Sequence, residues 1–130
     1  MNKVQGIILI CITLLSGTAY SQSEPPEAEQ ITQLITTLAK LTDMADACGE
    51  HMNYYGKKAL EGAVCKEFNE TFYGKWPTRD SLQQEVEYYT LRLEQGDLVC
   101  ESCKLMLVRV EELRITITYY LDYMDFVKEF

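Results

Sequence analysis

The sequence predicts an all-α fold, a disulfide-stapled antiparallel four-helix bundle, on three observations. Apolar residues recur three and four positions apart in several stretches, which is the spacing of one face of an α-helix. Glycine and proline separate these stretches at short intervals, and short connections favour antiparallel neighbours. Four cysteines follow an N-terminal segment with the layout of an export signal, and cysteines of exported proteins are commonly oxidised.

Residues 1–21 predict a signal peptide. A positive charge near the start precedes an apolar run over residues 6–15, and small residues then lead to a cleavage point after Ala19 or Ser21. The run is shorter than the roughly 20 apolar residues that a membrane-spanning helix needs. We therefore expect no transmembrane anchor and a periplasmic or extracellular location.

Residues 22–29 predict an exposed leader, because three glutamates surround two prolines there, and residues 30–130 predict a single helical domain. The formal net charge of -8 disfavours nucleic acid, which selects for basic surfaces. The acidity is expected chiefly to favour solubility; the alternative is an acidic face for a basic partner.

The first two helical stretches are expected in the N-terminal half of this domain. The first begins near Ile31 and keeps one apolar seam as far as Cys48, after which Gly49 is expected to end it. The second is expected from about Glu50 to Tyr73, with glycines that weaken its first half.

The third helix is predicted to start at a capping box opened by Ser81 and to end before Gly96. Asp97 is expected to cap the fourth helix. Residues 114–119 alternate like a β-strand, but the helical seam continues on both sides of them, so helix is the preferred interpretation. That seam is Cys103, Met106, Val110, Leu113, Ile117, Tyr120 and Met124.

The cysteines predict two disulfides, with more than one pairing open. In an up-down bundle Cys48 would lie at the same end as Cys100 and Cys103, and Cys65 would join them only if the segment after Gly49 were not helical. Crossed bridges to Cys100 and Cys103 then become available. The alternative is local, with Cys48 bound to Cys65 and Cys100 bound to Cys103.

The local pairing carries a redox interpretation. Thiol oxidoreductases place Cys-x-x-Cys at a helix N-terminus, where the helix dipole acidifies the first thiol, although no strand precedes Cys100 here as it does in that class. Cys48, His51, Cys100 and Cys103 are a weaker alternative as a zinc set. Because exported thiols are normally oxidised, no metal or other cofactor is expected.

Partner binding is the preferred function, because recognisable catalytic motifs are missing and the chain has a single histidine. Phe72, Tyr73 and Trp76 lie in the longest connection and predict an aromatic surface for an unidentified protein partner. The alternative for these three side chains is a lid over the core. Asn69 begins a triplet of the N-glycosylation type.

A short segment resembles the opening of a saposin-like domain. The residues that carry the resemblance are Leu98, Val99, Cys100, Glu101, Ser102, Cys103, Val108, Val110, Glu111 and Leu113. The resemblance implies a disulfide-bonded helical fold that handles lipids. The further cysteines of that family would follow the motif, and none follows Cys103.

We therefore expect a small exported, non-enzymatic protein-binding module of the inhibitor, immunity or secretion-accessory type. One alternative is a saposin-like lipid-binding protein. Another is a thiol-disulfide redox protein that uses Cys100 and Cys103.

Overall fold

The computed structural model describes residues 25–130, so the predicted signal peptide lies outside the described residues. Two disulfides and an all-α bundle are confirmed. The elements are α1 (Pro26–Tyr55), a 3₁₀ helix (Gly56–Glu61), α2 (Ala63–Lys75), α3 (Arg79–Glu94) and α4 (Cys103–Lys128). None of these helices combines the length and the apolarity that crossing a bilayer requires.

The N-terminus of α1 extends into the predicted leader. Pro26 occupies the first helical position, where its fixed φ and missing N–H are tolerated. Ala28 is only 3% exposed, and Glu27 pairs with Arg92 of α3 at 2.5 Å. The helix α1 therefore begins within the segment predicted as a leader and includes its last four residues.

Gly49 does not end α1, contrary to the prediction. It lies inside the helix, and a Cβ atom there would stand 2.5 Å from Cε1 of Tyr120 in α4. The missing side chain thus allows α1 and α4 to approach closely. The helix ends instead at Gly56, whose φ of +61° suits glycine.

The two long helices, α1 and α4, run parallel. Near their N-termini, Thr32 Oγ1 lies 3.5 Å from Met106 Sδ. Near their C-termini, the Tyr123 hydroxyl donates to Asn53 Oδ1 at 2.6 Å. Because residue numbers rise together along both helices, the first and last helices are parallel, and the simple up-down order fails.

The up-down order fails because α2 and α3 both run opposite to α1. Cys65, near the start of α2, is bonded to Cys48 in the second half of α1. At the far end of α3, the Tyr89 hydroxyl donates to Gln30 in the first turns of α1 at 3.0 Å. The pairs α1/α2 and α3/α4 are antiparallel, as expected for neighbours, but α3 does not turn back along α2.

The N-terminal ends of α3 and α4 differ from the prediction by about one turn or more. Thr78, not Ser81, is the N-cap of α3; its Oγ1 accepts from the Ser81 N–H at 3.1 Å, and Ser81 Oγ accepts in return from the Thr78 N–H at 3.2 Å. Gly96, with φ of +81°, follows α3 as predicted. Asp97 does not cap α4, because that helix begins only at Cys103.

The core is the meeting of the inner faces of all four helices. Its largest fully buried side chains are Phe68, Phe72, Ile31, Leu38, Leu41, Leu82, Ile117, Leu121 and Val110. Each such side chain contributes roughly 1.5–3 kcal/mol on transfer from water. In α4, Leu107 and Leu121 are buried where the predicted seam had Met106 and Tyr120, which are partly buried at the edge of the core.

Candidate functional site

The aromatic surface predicted around Trp76 is not at the surface. Phe72 is 1% and Trp76 is 3% exposed, and Tyr73 is partly buried against the core. The Trp76 Nε1–H donates to Glu85 Oε1 at 2.9 Å, which ties the end of α2 to α3. The burial of these residues fits the lid alternative better than an exposed partner-binding patch.

The disulfides follow the local pairing. Cys48 is bonded to Cys65 with a Cα–Cα distance of 4.7 Å, and Cys100 is bonded to Cys103 with 5.2 Å. The crossed bridges are wrong because α1 and α4 run parallel, which puts Cys48 and Cys100 toward opposite ends of the molecule.

The zinc alternative fails on the same geometry. His51 lies with Cys48 in the second half of α1, far from the N-terminus of α4. The three cysteines of the zinc set are all bonded in disulfides. Within residues 25–130 no three potential ligands of the His, Cys, Asp and Glu types come together to hold a metal ion.

The two bridges constrain the chain unequally. The Cys48–Cys65 bridge spans 17 positions and closes the α1/α2 hairpin, whereas the Cys100–Cys103 bridge spans three positions. Loop-closure entropy assigns about 3 kcal/mol to the first bridge and about 2 kcal/mol to the second. The Cys48–Cys65 bridge is therefore the larger structural staple.

The most unusual surface of the described chain is the outer face of α4, which we define as its exposed apolar side. The helix buries one complete seam against the core. On its opposite side it exposes a second series of large apolar residues, namely Leu105, Val108, Ile115, Tyr119 and Phe126. A helix that is apolar on two opposite sides has more apolar surface than its own fold uses.

The alternating segment 114–119 contributes to this surface. It is helical, as preferred over a strand. Residues two apart on an α-helix point roughly 200° from each other, so Ile115 and Ile117 lie on opposite sides. Ile117 is fully buried while Ile115 is 55% exposed. The strand-like pattern thus reports a helix with two apolar faces.

Beside the outer face, a groove of about 560 Å³ lies between α3 and α4. We call it the α3–α4 groove. Val86 and Leu107 are buried at its base, and Val108 and Ile115 join it to the outer face of α4. Its lining is predominantly apolar, which suits an apolar ligand or side-chain row.

Charged side chains surround the apolar lining of the groove. Four carboxylates and two cations take part, namely Glu87, Glu94, Glu111, Glu112, Lys104 and Arg114. The Arg114 guanidinium donates to both Glu111 oxygens, at 2.8 and 2.6 Å, and these hydrogen bonds lower the pKa of Glu111. Arg114 is engaged by Glu111 and Glu112 lies 3.6 Å from Arg109, so the carboxylates of Glu87 and Glu94 give the rim a small net negative charge.

Comparison with known proteins gives no family: the chain matches no protein-family model, and neither curated proteins nor solved structures show significant similarity. In the motif that resembles a saposin-like opening, Cys100 and Cys103 are bonded to each other and to no other part of the chain. Function must therefore be argued from the surfaces of this chain.

Proposed function

We propose that this protein is a small exported, non-enzymatic binding module that holds a basic, amphipathic helical segment of a partner protein in the α3–α4 groove. The single observation that carries the proposal is the outer face of α4, which is apolar although the core does not use it. Laying the apolar side of a helix into an apolar groove is a common mode of peptide recognition.

The charges beside the groove favour a basic occupant. Glu87 and Glu94 line the groove without an ion pair among the described residues, whereas Glu112 is paired with Arg109 and Glu111 with Arg114. Lys104 is the one cation of the lining that is not engaged by a lining carboxylate. Lysine or arginine on the flanks of a bound helix would be attracted to these carboxylates. A second copy of this chain, with a formal charge of -8, would bring like charges together.

The length of the groove fits a short helix. Along α4 its lining runs from Lys104 to Ile115, which corresponds to roughly 16 Å or three helical turns. A bound helix of that length would present apolar anchors at spacings of three and four residues to Leu107, Val108 and Ile115.

The proposed location follows from the predicted signal peptide together with the two disulfides, which suit an oxidising compartment. The partner would then be met in the periplasm or the extracellular space.

A designed amphipathic peptide of leucine and lysine, about 14 residues long, tests the proposal when titrated by calorimetry. A peptide with glutamate in place of lysine is the matched anionic probe. We expect micromolar binding of the lysine peptide, weaker binding at high salt, and none of the glutamate peptide.

Matched variants locate the binding. Val108→Ser combined with Ile115→Ser removes apolar contacts without changing charge, and should weaken binding at least about tenfold. Leu91→Ser removes a similarly exposed side chain from α3 outside the groove and should leave affinity unchanged. Equal affinity of both variants would mean that the peptide is attracted by net charge alone.

The lipid alternative has its own outcome. Flotation with phosphatidylcholine vesicles that is lost in the Val108→Ser/Ile115→Ser variant, without any peptide binding, would replace the protein partner by a lipid. We expect the protein to remain unbound, because insertion of the groove into a bilayer would remove the neighbouring carboxylates from water without giving them a partner.

A further inference from the structure

The Cys100–Cys103 disulfide differs from the Cys48–Cys65 disulfide in its access to solvent. Cys48 and Cys65 are both fully buried, between α1 and α2. Cys100 is 9% exposed, the largest value among the four cysteines, and its partner Cys103 is fully buried. Cys100 is therefore the least deeply buried of the four cysteines, and it is the residue of this bridge at which an external thiol would attack.

The buried partner, Cys103, is the first residue of α4, a helix of 26 residues. Backbone N–H groups in the first turn of a helix have no intrahelical acceptor and carry a partial positive charge. They would stabilise the negative charge that develops on the Cys103 sulfur when the disulfide breaks, and so offset part of the cost of burying that charge.

This helix start is not neutralised by side chains. Ser102 occupies the N-cap position but makes no capping hydrogen bond; its hydroxyl lies 3.7 Å from the Cys100 sulfur instead. The first turn contains no acidic residue and does contain Lys104. The helix α1, in contrast, has two glutamates in its first turn.

From this arrangement we infer that Cys100–Cys103 is a redox-active disulfide that accepts two electrons from a polypeptide dithiol. One substrate thiolate attacks the Cys100 sulfur, forming a mixed disulfide, while the Cys100–Cys103 bond breaks and its electron pair leaves on Cys103. The second substrate thiolate attacks the substrate sulfur of the mixed disulfide and releases Cys100. The substrate becomes a disulfide, and its two protons end on Cys100 and Cys103.

The inference goes beyond partner binding and is independent of what occupies the α3–α4 groove. It assigns the two disulfides different roles. Cys48–Cys65 holds the α1/α2 hairpin and remains oxidised, whereas Cys100–Cys103 is reduced once to the dithiol for each substrate dithiol that it oxidises.

The first test asks which of the two disulfides is reduced more easily. The protein is equilibrated with reduced and oxidised glutathione and then analysed by alkylation and peptide mass spectrometry. We expect Cys100 and Cys103 to become alkylated at a lower ratio of reduced to oxidised glutathione than Cys48 and Cys65. The two ratios should differ at least about tenfold. Simultaneous opening of both bridges, or earlier opening of Cys48–Cys65, would overturn the assignment.

Single-cysteine variants test the direction of attack. Cys103→Ser leaves the accessible Cys100 thiol and should form a mixed disulfide with oxidised glutathione at least about tenfold faster than Cys100→Ser, which leaves only the buried Cys103. Circular dichroism establishes that each variant is folded. Equal rates in two folded variants would contradict the role given to Cys100.

The activity itself is measured with a model peptide that carries two cysteines. The oxidised protein should convert the peptide dithiol to its disulfide stoichiometrically, as seen by mass spectrometry, and Cys100→Ser/Cys103→Ser should not. Should that double variant be unfolded, Cys100→Ala/Cys103→Ala serves in its place. Equal peptide oxidation by a folded double variant would attribute the reaction to air and end the proposal.

Discussion

The two long helices α1 and α4 run parallel and each buries an unbroken apolar seam, yet their opposite sides differ. Before its last turn, α1 exposes polar and charged residues, namely Thr32, Gln33, Thr36, Lys40, Asp43, Asp46 and Glu50. The corresponding side of α4 carries large apolar side chains. One helix is amphipathic in the usual way, and the other is apolar on two sides.

This difference separates the apolar surface that packs the bundle from apolar surface that the packing does not use. The buried sides of α1 and α4 face each other and account for the packing of the bundle. The outer face of α4 contributes nothing to that packing, and exposed apolar surface of this extent favours association with a partner. The proposal of a binding module therefore rests on α4 and not on the bundle as such.

The largest difference in stability is expected between substitutions of two isoleucines of α4. Ile117→Ala opens a cavity in the core and should lower the free energy of unfolding by about 2–5 kcal/mol. Ile115→Ala, the same substitution on the opposite side of the helix, should change it by less than about 0.5 kcal/mol. Urea denaturation followed by circular dichroism measures both.

Similar losses in the two alanine variants would show that Ile115 is packed in solution. The outer face of α4 would then be part of the fold rather than a free surface. Leu38→Ala in α1, where the side chain is also fully buried, should match Ile117→Ala.

A second, intermediate effect concerns the close contact between the two helices. Gly49→Ala places a methyl group against the Tyr120 ring and should cost about 1–3 kcal/mol, even though alanine favours helix more than glycine does. Gly74→Ala in α2 meets no atom within 4 Å and should be neutral or stabilising by up to about 1 kcal/mol.

A double-mutant cycle with Tyr120→Ala attributes the loss to this contact. The penalty of Gly49→Ala should largely disappear when the ring is absent. An unchanged penalty would place the cause in another part of the helix interface.

The smallest expected effect lies at the edge of the groove. Glu111→Gln removes the charge partner of Arg114 and should lower the free energy of unfolding at neutral pH by about 0.3–0.5 kcal/mol, as for exposed helical ion pairs. Because the folded state lowers the pKa of Glu111 below its ordinary value of 4.5, the contribution is complete above pH 4.5 and is lost as the pH falls through the folded-state pKa.

Urea denaturation of both proteins over a pH series measures this difference. Glu101→Gln, at an exposed glutamate without an ion pair, is the control and should show no such dependence. A Glu111→Gln penalty that persists in acid would assign the effect to packing instead of charge.

Local periodicity made most of the fold predictable. The seams of α1 and α4, the glycine that follows α3, and the helical state of residues 114–119 all depend on neighbours within a few positions. The same alternation in residues 114–119 also contains the signal for the outer face of α4, because a helix with isoleucines two positions apart buries one of them and exposes the other.

Long-range contacts explain what the sequence could not reveal. The role of Gly49 depends on Tyr120, which lies far along the chain. The burial of Trp76 depends on its bond to Glu85 and on the direction in which α3 leaves α2. The same direction makes α1 and α4 parallel and thereby decides between crossed and local disulfides.

The measurement that tests the central claim most directly is a map of amide chemical shifts in the ¹⁵N-labelled protein during titration with the lysine amphipathic peptide. We predict that the shifted amides lie along the α3–α4 groove and the outer face of α4, while those of the polar side of α1, such as Thr36 and Lys40, stay in place. Shifts spread evenly over the acidic surface, including α1, would contradict the claim that α4 carries the binding site.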